Sequence, residues 1–287
     1  MKNQKFKMWF IILEKRYICK MKIYNNIFIS FIAVIIIQSC SDYRKILKIP
    51  GYEKKLEAAL EYYENEDYFK ASTIFQDIKP LVKGSEQSEI VDFYFAYSLY
   101  NLEQYELSAK YFKNFIELFS RSDKVIEAEY LYAFSLYKES PNSNLDQSST
   151  IEAINAIQNF INKYPYSEYS KGANNLIDEL QVKLETKSFE NAKQYYKTRM
   201  YKSAIIALNN FENDFPDSYF NDECNYLKIV SQYLIAQNSF DDLKKGRYKI
   251  VTDFYIEFID KYPNSPFQKE AEKMYVESLN LLTKFVE

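Results

Sequence analysis

"YKSAIIALNNFENDFPDS", residues 201–218, decides the fold. Counted from Tyr201, apolar or small side chains fall at Ala204, Leu208, Phe211 and Phe215, and Pro216 and Ser218 follow. The steps alternate between three and four residues, which is one face of an α-helix and not the two-residue period of a strand. Proline then denies the helix another turn, because it has no amide donor and its ring clashes with the preceding carbonyl. The same ruler fits Tyr248, Val251, Tyr255, Phe258, Tyr262, Pro263 and Ser265, and also Thr150, Ala153, Ile157, Phe160, Tyr164, Pro165 and Ser167. Two weaker copies start at Tyr105 (Ser108, Phe112, Phe115, Phe119, Ser122) and at Tyr68 (Ala71, Phe75, Ile78, Val82, Ser85).

The copies begin at 68, 105, 150, 201 and 248, so successive starts lie 37, 45, 51 and 47 residues apart. Self-similarity at such a period marks stacked helical units, because one unit cannot bury its apolar face alone. A first helix precedes each ruler: "KKLEAALEYYENED" (54–67), "EIVDFYFAYSLYNLEQ" (89–104), "VIEAEYLYAFSLYKE" (125–139), "KSFENAKQYYKTRM" (187–200) and "DECNYLKIVSQYLIAQN" (222–238). The order Tyr, Ala, Phe, Pro on the second helix resembles the tetratricopeptide repeat, whose unit of about 34 residues closes on its proline. The longer spacings are taken up by the loop "SPNSNLDQSS" (140–149) and an extra helix, "YSKGANNLIDELQVKLE" (169–185). The expected fold is all-α, a tetratricopeptide-like solenoid over 52–287 with a concave groove. Its five helix-turn-helix units fall around 52–85, 88–122, 125–168, 169–218 and 222–265, and a C-terminal helix follows at 266–287.

Composition agrees with helices and narrows function. The 287 residues hold 28 Tyr and 22 Phe but only 4 Gly and 7 Pro, too few turn formers for a sandwich or for a glycine-rich phosphate loop. A formal net charge of -3 gives no basic field for nucleic acid. Histidine is absent, which removes the usual general base and the Ser-His and Cys-His pairs. No metal, cofactor or catalytic site is expected: Glu61 with Glu64 and Asp241 with Asp242 read as solvated carboxylates. The three cysteines, Cys19, Cys40 and Cys224, are too scattered for a disulfide framework, and Cys224 reads as a packing residue.

The amino terminus reads as an address. "MKIYNNIFISFIAVIIIQSC" (21–40) has a Met, a Lys, an apolar run from Ile27 to Ile37, then Gln38, Ser39 and Cys40. The run is short of the roughly 20 residues that span a bilayer, but suits the about 7–15 residue core of a secretory signal. Ser39 before Cys40, with Ile37 three residues upstream, resembles the lipobox of bacterial lipoproteins. That implies a signal peptide at 21–39 and a fatty-acylated Cys40, the palmitate-type anchor, at the head of a linker over 40–51. An uncleaved signal anchor is the other reading. Ser41, where Asp would retain a lipoprotein in the inner membrane, implies the outer membrane. Residues 1–20 carry a separate apolar patch, "FKMWFIIL", set off by "EKRYICK". They are expected to be an upstream extension before a start at Met21, with Met1 as the other reading.

The first-helix register puts Tyr63, Phe93, Tyr97, Tyr100, Tyr130, Phe134 and Tyr137 on the groove side. Two readings stand: rings lining a peptide groove, with large contact area at low entropic cost, or packing between helices. In the fourth unit Lys183, Lys187, Lys193, Lys197, Arg199 and Lys202 outnumber Glu185 and Glu190. This is either a solvated face or a docking surface for an acidic partner, with Lys193, Lys197, Arg199 and Lys202 as the candidates.

Beside the lipobox and the short linker, three stretches carry a family resemblance: "EYYENEDYFKASTIF" (61–75), "LDQSSTIEAINAIQNFINKYPYSEYSKGANNLIDELQVKLE" (145–185) and "AKQYYKTRMYKSAIIALNNFENDFPDS" (192–218). The pattern, from about Tyr52 to about Phe220, resembles the BamD family, lipoproteins of the bacterial outer-membrane β-barrel assembly machinery. It is weaker in the fifth unit with its loop "NSFDDLKKGR" (238–247). The resemblance implies a non-catalytic, lipid-anchored scaffold on the periplasmic side of the outer membrane. Its N-terminal units would recognise C-terminal signals of unfolded outer-membrane proteins, and its C-terminal units would hold the periplasmic domains of the barrel subunit BamA beside other Bam subunits. Two rivals are a tetratricopeptide lipoprotein that scaffolds cell-wall enzymes, and a lipoprotein enzyme with two carboxylates about 5–10 Å apart across a cleft.

Overall fold

The computed structural model describes residues 43–284, and all regular structure among them is helical. After a short helix over 43–47 (α1) come α2 (Glu53–Glu64), α3 (Tyr68–Val82), α4 (Gln87–Asn101), α5 (Tyr105–Leu118), α6 (Val125–Glu139), α7 (Ser148–Lys163), α8 (Ala173–Lys197), α9 (Tyr201–Asp214), α10 (Asn221–Gln237), α11 (Asp241–Lys261) and α12 (Gln268–Lys284). They form two compact units that divide inside α6, between Tyr132 and Ala133. Helices adjacent in sequence pack as antiparallel hairpins: α2 with α3 and α4 with α5 in the first unit, α8 with α9 and α10 with α11 in the second.

The ruler marks the core. Its third-step positions Ala71, Ser108, Ala153, Ala204 and Val251 are fully buried, as are the larger Phe75, Phe112, Phe115, Leu208 and Phe258. Small residues at the hairpin crossings let the helices approach, and the large rings beyond them fill the space between hairpins. In the first unit one core gathers around Phe75, Ile78, Val91 and Phe95, and another around Phe93, Phe112 and Phe115. In the second, Phe189, Leu208 and Phe211 form one core and Val251, Tyr255, Phe258 and Ala271 another.

The recurring Pro-x-Ser is a stop and a restart. Tyr164, Phe215 and Tyr262 cap α7, α9 and α11 outside helical geometry, with ψ of 58°, 68° and 60°, as a following proline demands. The serine amide then returns to the aromatic carbonyl: Ser167 to Tyr164 at 3.1 Å, Ser218 to Phe215 at 3.2 Å and Ser265 to Tyr262 at 3.1 Å. The serine hydroxyls accept from the amides of Tyr169, Phe220 and Phe267 and so open the next element. Ser122 does the same for Lys124 without any proline.

Turns inside the hairpins close differently. Glu66, Glu103 and Arg199 sit in the left-handed region at φ 61°, 58° and 63°. In each, the next amide reaches back over the helix end: Asp67 to Tyr62 at 2.8 Å, Gln104 to Leu99 at 3.0 Å and Met200 to Tyr195 at 2.9 Å. This is the Schellman closure usually built on glycine.

Three expectations change. The helices read at 169–185 and 187–200 are one 25-residue helix, α8, because the stretch joining them holds no proline or glycine and helix formers run through it. The stretch 238–247 is not a loop throughout: α11 starts at Asp241, where Asp241 and Asp242 complement the helix dipole. Part of the 40–51 linker is folded, since α1 lays Tyr43, Ile46 and Leu47 against the first core. In the second unit α12 buries Ala271 and Ser278 and leaves Lys269, Glu272, Lys273, Val276, Leu279 and Asn280 exposed.

Candidate functional site

A row of half-buried tyrosines lies on the first helices of the first unit. The Tyr63 ring on α2 meets Tyr94 at 4.8 Å and Tyr97 at 5.9 Å on α4, and Tyr68 at 5.5 Å. Tyr97 leads to Tyr100 at 6.1 Å, and Tyr100 to Tyr105 at 5.7 Å, all edge to face. Burial raises the Tyr63 phenol far above its ordinary pKa, and Tyr97, Tyr68, Tyr94 and Glu127 of α6 add to the rise. Burial, then Tyr105, Tyr130 and Tyr97, pushes Tyr100 up to about 12. These phenols remain neutral and keep their hydroxyl protons at any physiological pH.

Phe93 does not belong to the row. It is 2% exposed and packs against Phe115 at 5.4 Å and Phe112 at 6.0 Å. Its neighbour Tyr94, passed over in the sequence, takes the surface position. The register slips by one residue because α4, "QSEIVDFYFAYSLYN", is apolar nearly all round, so periodicity picks out no face. Lys124, also passed over, holds its Nζ 4.9 Å above the Phe93 ring and 5.4 Å above that of Tyr94.

The last two aromatic candidates lie in the second unit. Phe134 is tilted on Tyr137 at 5.4 Å, and Lys138 Nζ lies over both rings at 5.3 and 5.9 Å. The Tyr137 hydroxyl donates to the Glu179 carboxylate on α8, which raises its pKa, with burial second.

The basic stretch of α8 is largely spoken for. Lys183 donates to the Ser140 carbonyl at 3.1 Å and hydroxyl at 2.9 Å, and Lys187 to the Leu145 carbonyl at 2.5 Å, so both hold the 140–149 loop. Lys193 pairs with Glu223 at 2.5 Å and Lys197 with Glu190 at 2.8 Å. The Lys197 hydrogen bond lowers the Glu190 pKa, with burial opposing it and the charges of Lys197 and Lys193 adding to the fall. Arg199, in the α8–α9 turn, and Lys202, at the start of α9, are exposed, and among the described residues no carboxylate sits at ion-pair distance from either. Of the four candidates, these two keep a cation free for a partner.

Cys224 is fully buried and its thiol donates to the Leu208 carbonyl at 3.3 Å. Burial pushes its pKa up to about 12, with Glu212 and Glu223 adding and Lys228 opposing, which leaves a thiol and no thiolate to attack. Among the described residues no cluster of acidic residues or cysteine is arranged to hold a metal, and no helix is long and apolar enough to cross a membrane. Cys40 and the signal-like stretch lie outside the described residues.

The chain matches the family described as YfiO, outer membrane lipoprotein, over residues 52–223 and again over 182–285. It is 27% identical over 214 residues to the outer membrane protein assembly factor BamD of Rickettsia prowazekii (strain Madrid E), covering 74% of this chain and 80% of the relative. A protein of Aquifex aeolicus (strain VF5), provisionally named outer membrane protein assembly factor BamD, is 26% identical over 245 residues, 84% of this chain and 78% of its own. Among solved structures, the TPR2AB domain of yeast Sti1 in its pHSP90 complex aligns with a TM-score of 0.37 at 12% identity, over 79% of this chain and 98% of that one. With helical hairpins over its described length and a family match from residue 52 to 285, the chain belongs to the YfiO family of outer membrane lipoproteins.

Proposed function

We propose that the chain is a non-catalytic scaffold for outer-membrane β-barrel assembly. It holds an extended segment of an unfolded outer-membrane protein along the tyrosine row of the first unit, and it docks an acidic surface of the periplasmic domains of BamA at Arg199 and Lys202 in the second. The relatives named BamD support the setting. The observation that carries the substrate reading is the row itself: Tyr63, Tyr94, Tyr97 and Tyr100 pack against the two cores of the first unit and still remain only half-buried, so each ring keeps an exposed part along one line. A barrel strand alternates apolar and polar residues. An extended segment of that kind lays every second side chain on the exposed parts of the tyrosine rings.

On the same reading, residues 21–39 are the signal peptide, Cys40 carries the lipid and the folded scaffold begins near residue 43. Only two residues, Ser41 and Asp42, separate Cys40 from the start of α1, a reach of about 10 Å over three residue steps, so the first unit stands close to the membrane surface on its periplasmic side. The test is a detergent pull-down of the full-length protein from its native membrane, read by mass spectrometry. A large β-barrel subunit with periplasmic domains as the main stoichiometric partner is the expected result. Cell-wall synthases or hydrolases in its place would move the function to the rival scaffold.

A further inference from the structure

We infer that the basic face of α1 rests on anionic phospholipid headgroups of the leaflet that holds the Cys40 lipid, an inference that depends on the lipid-anchor reading above. In "YRKILKI" (43–49), Tyr43, Ile46 and Leu47 pack on the first core, and the Tyr43 ring meets Tyr62 of α2 edge to face at 6.1 Å. Arg44, Lys45 and Lys48 are left exposed, and the spacing from Arg44 to Lys48 is one helical turn. The backbone holds them in place. The Lys48 amide donates to the Lys45 carbonyl at 3.1 Å and the Ile49 amide to the Ile46 carbonyl at 3.0 Å, and Gly51, at φ 83°, turns the chain into α2. Among the described residues no carboxylate reaches ion-pair distance from Arg44 or Lys48.

Tether length and charge select the occupant. Arg44 follows Cys40 by four residue steps, at most about 13 Å of chain, so a lipid on Cys40 keeps these cations beside the headgroups. Over 42–48 Asp42 offsets one of the three positive charges and leaves two. Such a basic segment next to a lipid anchor is attracted to an anionic leaflet, and the attraction acts within a Debye length of about 8 Å at physiological salt. The adjoining helix limits the contact. Glu53, Glu57 and Glu61 of α2 are exposed at four-residue steps, on the side of that helix away from the buried Lys55 and Ala59. An anionic surface attracts α1 and repels this acidic stripe, so it sets how the first unit leans on its tether, which a lipid chain alone leaves free.

The test places the full-length lipidated protein on preformed vesicles, one set of phosphatidylcholine alone and one with about a third phosphatidylglycerol. Acylation of each lysine by a neutral polyethylene-glycol ester is followed by mass spectrometry. Lys48 should react about fivefold more slowly on the anionic vesicles, the factor that corresponds to about 1 kcal/mol for one basic residue at such a surface. Lys273 of the second unit should react equally on both. At about 1 M salt the Lys48 difference should vanish, and Arg44→Gln with Lys45→Gln should cut it to under about twofold. Equal Lys48 rates on the two vesicles overturn the contact and leave the lipid anchor standing. Slowing of Lys273 by the same factor overturns it too, since that marks adsorption of the whole protein. Protein that carries no acyl mass on Cys40, or that stays behind when the vesicles float, takes down the anchor reading and this contact with it.

Discussion

Ser218 Oγ donates to Glu185 Oε2 at 2.8 Å across 33 residues, and Ser122 Oγ donates to Glu89 Oε1 at 2.6 Å across the same separation. Each serine ends one hairpin, opens the next helix and reaches back to an acidic residue on the first helix of its own hairpin. Ser265 repeats the contact with Asp222 at 3.2 Å in the fifth unit. One small side chain thus fixes three things at once: where the second helix stops, where the next begins, and how far apart the two helices of a hairpin stand.

Ser218→Ala should cost about 1–2 kcal/mol, since it removes a largely buried hydrogen bond to a carboxylate together with the hydroxyl that accepts from the Phe220 amide. Urea unfolding followed by circular dichroism measures it. A change under a few tenths of a kcal/mol would mean that the turn closes without the serine.

The left-handed turns make a prediction of opposite sign. Glu103 sits at φ 58° with its side chain exposed, a conformation that costs an L-residue about 1–2 kcal/mol and glycine almost nothing. Glycine's greater freedom in the unfolded chain offsets part of that gain. Glu103→Gly should therefore stabilise by about 0.5–1 kcal/mol, while Glu103→Ala should not, and comparing the two midpoints in urea isolates the backbone effect.

How much of this was legible in sequence differs by element. The second helices α3, α5 and α9 start on the first residue of their rulers, because a 3–4 period marks one face, and Ala204, Leu208 and Phe211 are buried as that period requires, whereas α11 starts ahead of its ruler at Asp241. The first helices were harder. In α4 the apolar residues run round the whole helix, so Phe93 and Tyr94 could not be told apart by spacing. The turns at Glu66, Glu103 and Arg199 left no sign, because their left-handed residue is not glycine. Long-range pairs such as Lys187 with Leu145 depend on which hairpin stacks on which, and local pattern does not carry that.

Core and groove separate by mutation. Phe93→Ala should cost about 3–5 kcal/mol through the cavity it leaves between Phe112 and Phe115. Tyr97→Ala removes a half-exposed ring, so it should cost under about 2 kcal/mol and leave the helical spectrum unchanged. Binding of a fluorescein-labelled ten-residue peptide of alternating aromatic and polar residues, followed by fluorescence anisotropy, should weaken about fivefold to tenfold, the worth of one aromatic contact. Unfolding by Tyr97→Ala would place that ring in the core and remove it from the groove.

The docking surface is tested by charge. Arg199→Glu with Lys202→Glu should sharply reduce recovery of the co-purifying barrel subunit, and raising the salt in the unaltered complex should do the same, because exposed charges are screened. Lys197→Glu should have a smaller effect on recovery, since its ammonium is already held by Glu190 at 2.8 Å. Equal recovery from all three proteins would take the contact away from this turn.

Acid sensitivity should concentrate where α9 packs against α10 and α11, around Glu212. Burial alone would raise the Glu212 carboxyl, yet the hydrogen bond and charge of Lys228, with further bonds from Lys261 and Asn225, bring it down to about 2. Its folded pKa lies below its unfolded one, so the network stabilises fully above about pH 4.5 and loses that contribution as the pH falls toward 2. Partial exposure reduces the effect to roughly 1–3 kcal/mol. Hydrogen exchange should show α10 and α11 opening first as the pH drops through that window. Glu212→Gln should destabilise the neutral protein by about 2–4 kcal/mol, since it strands the buried Lys228 ammonium, and it should flatten the acid slope. An acid slope unchanged by Glu212→Gln would assign the sensitivity to other carboxylates.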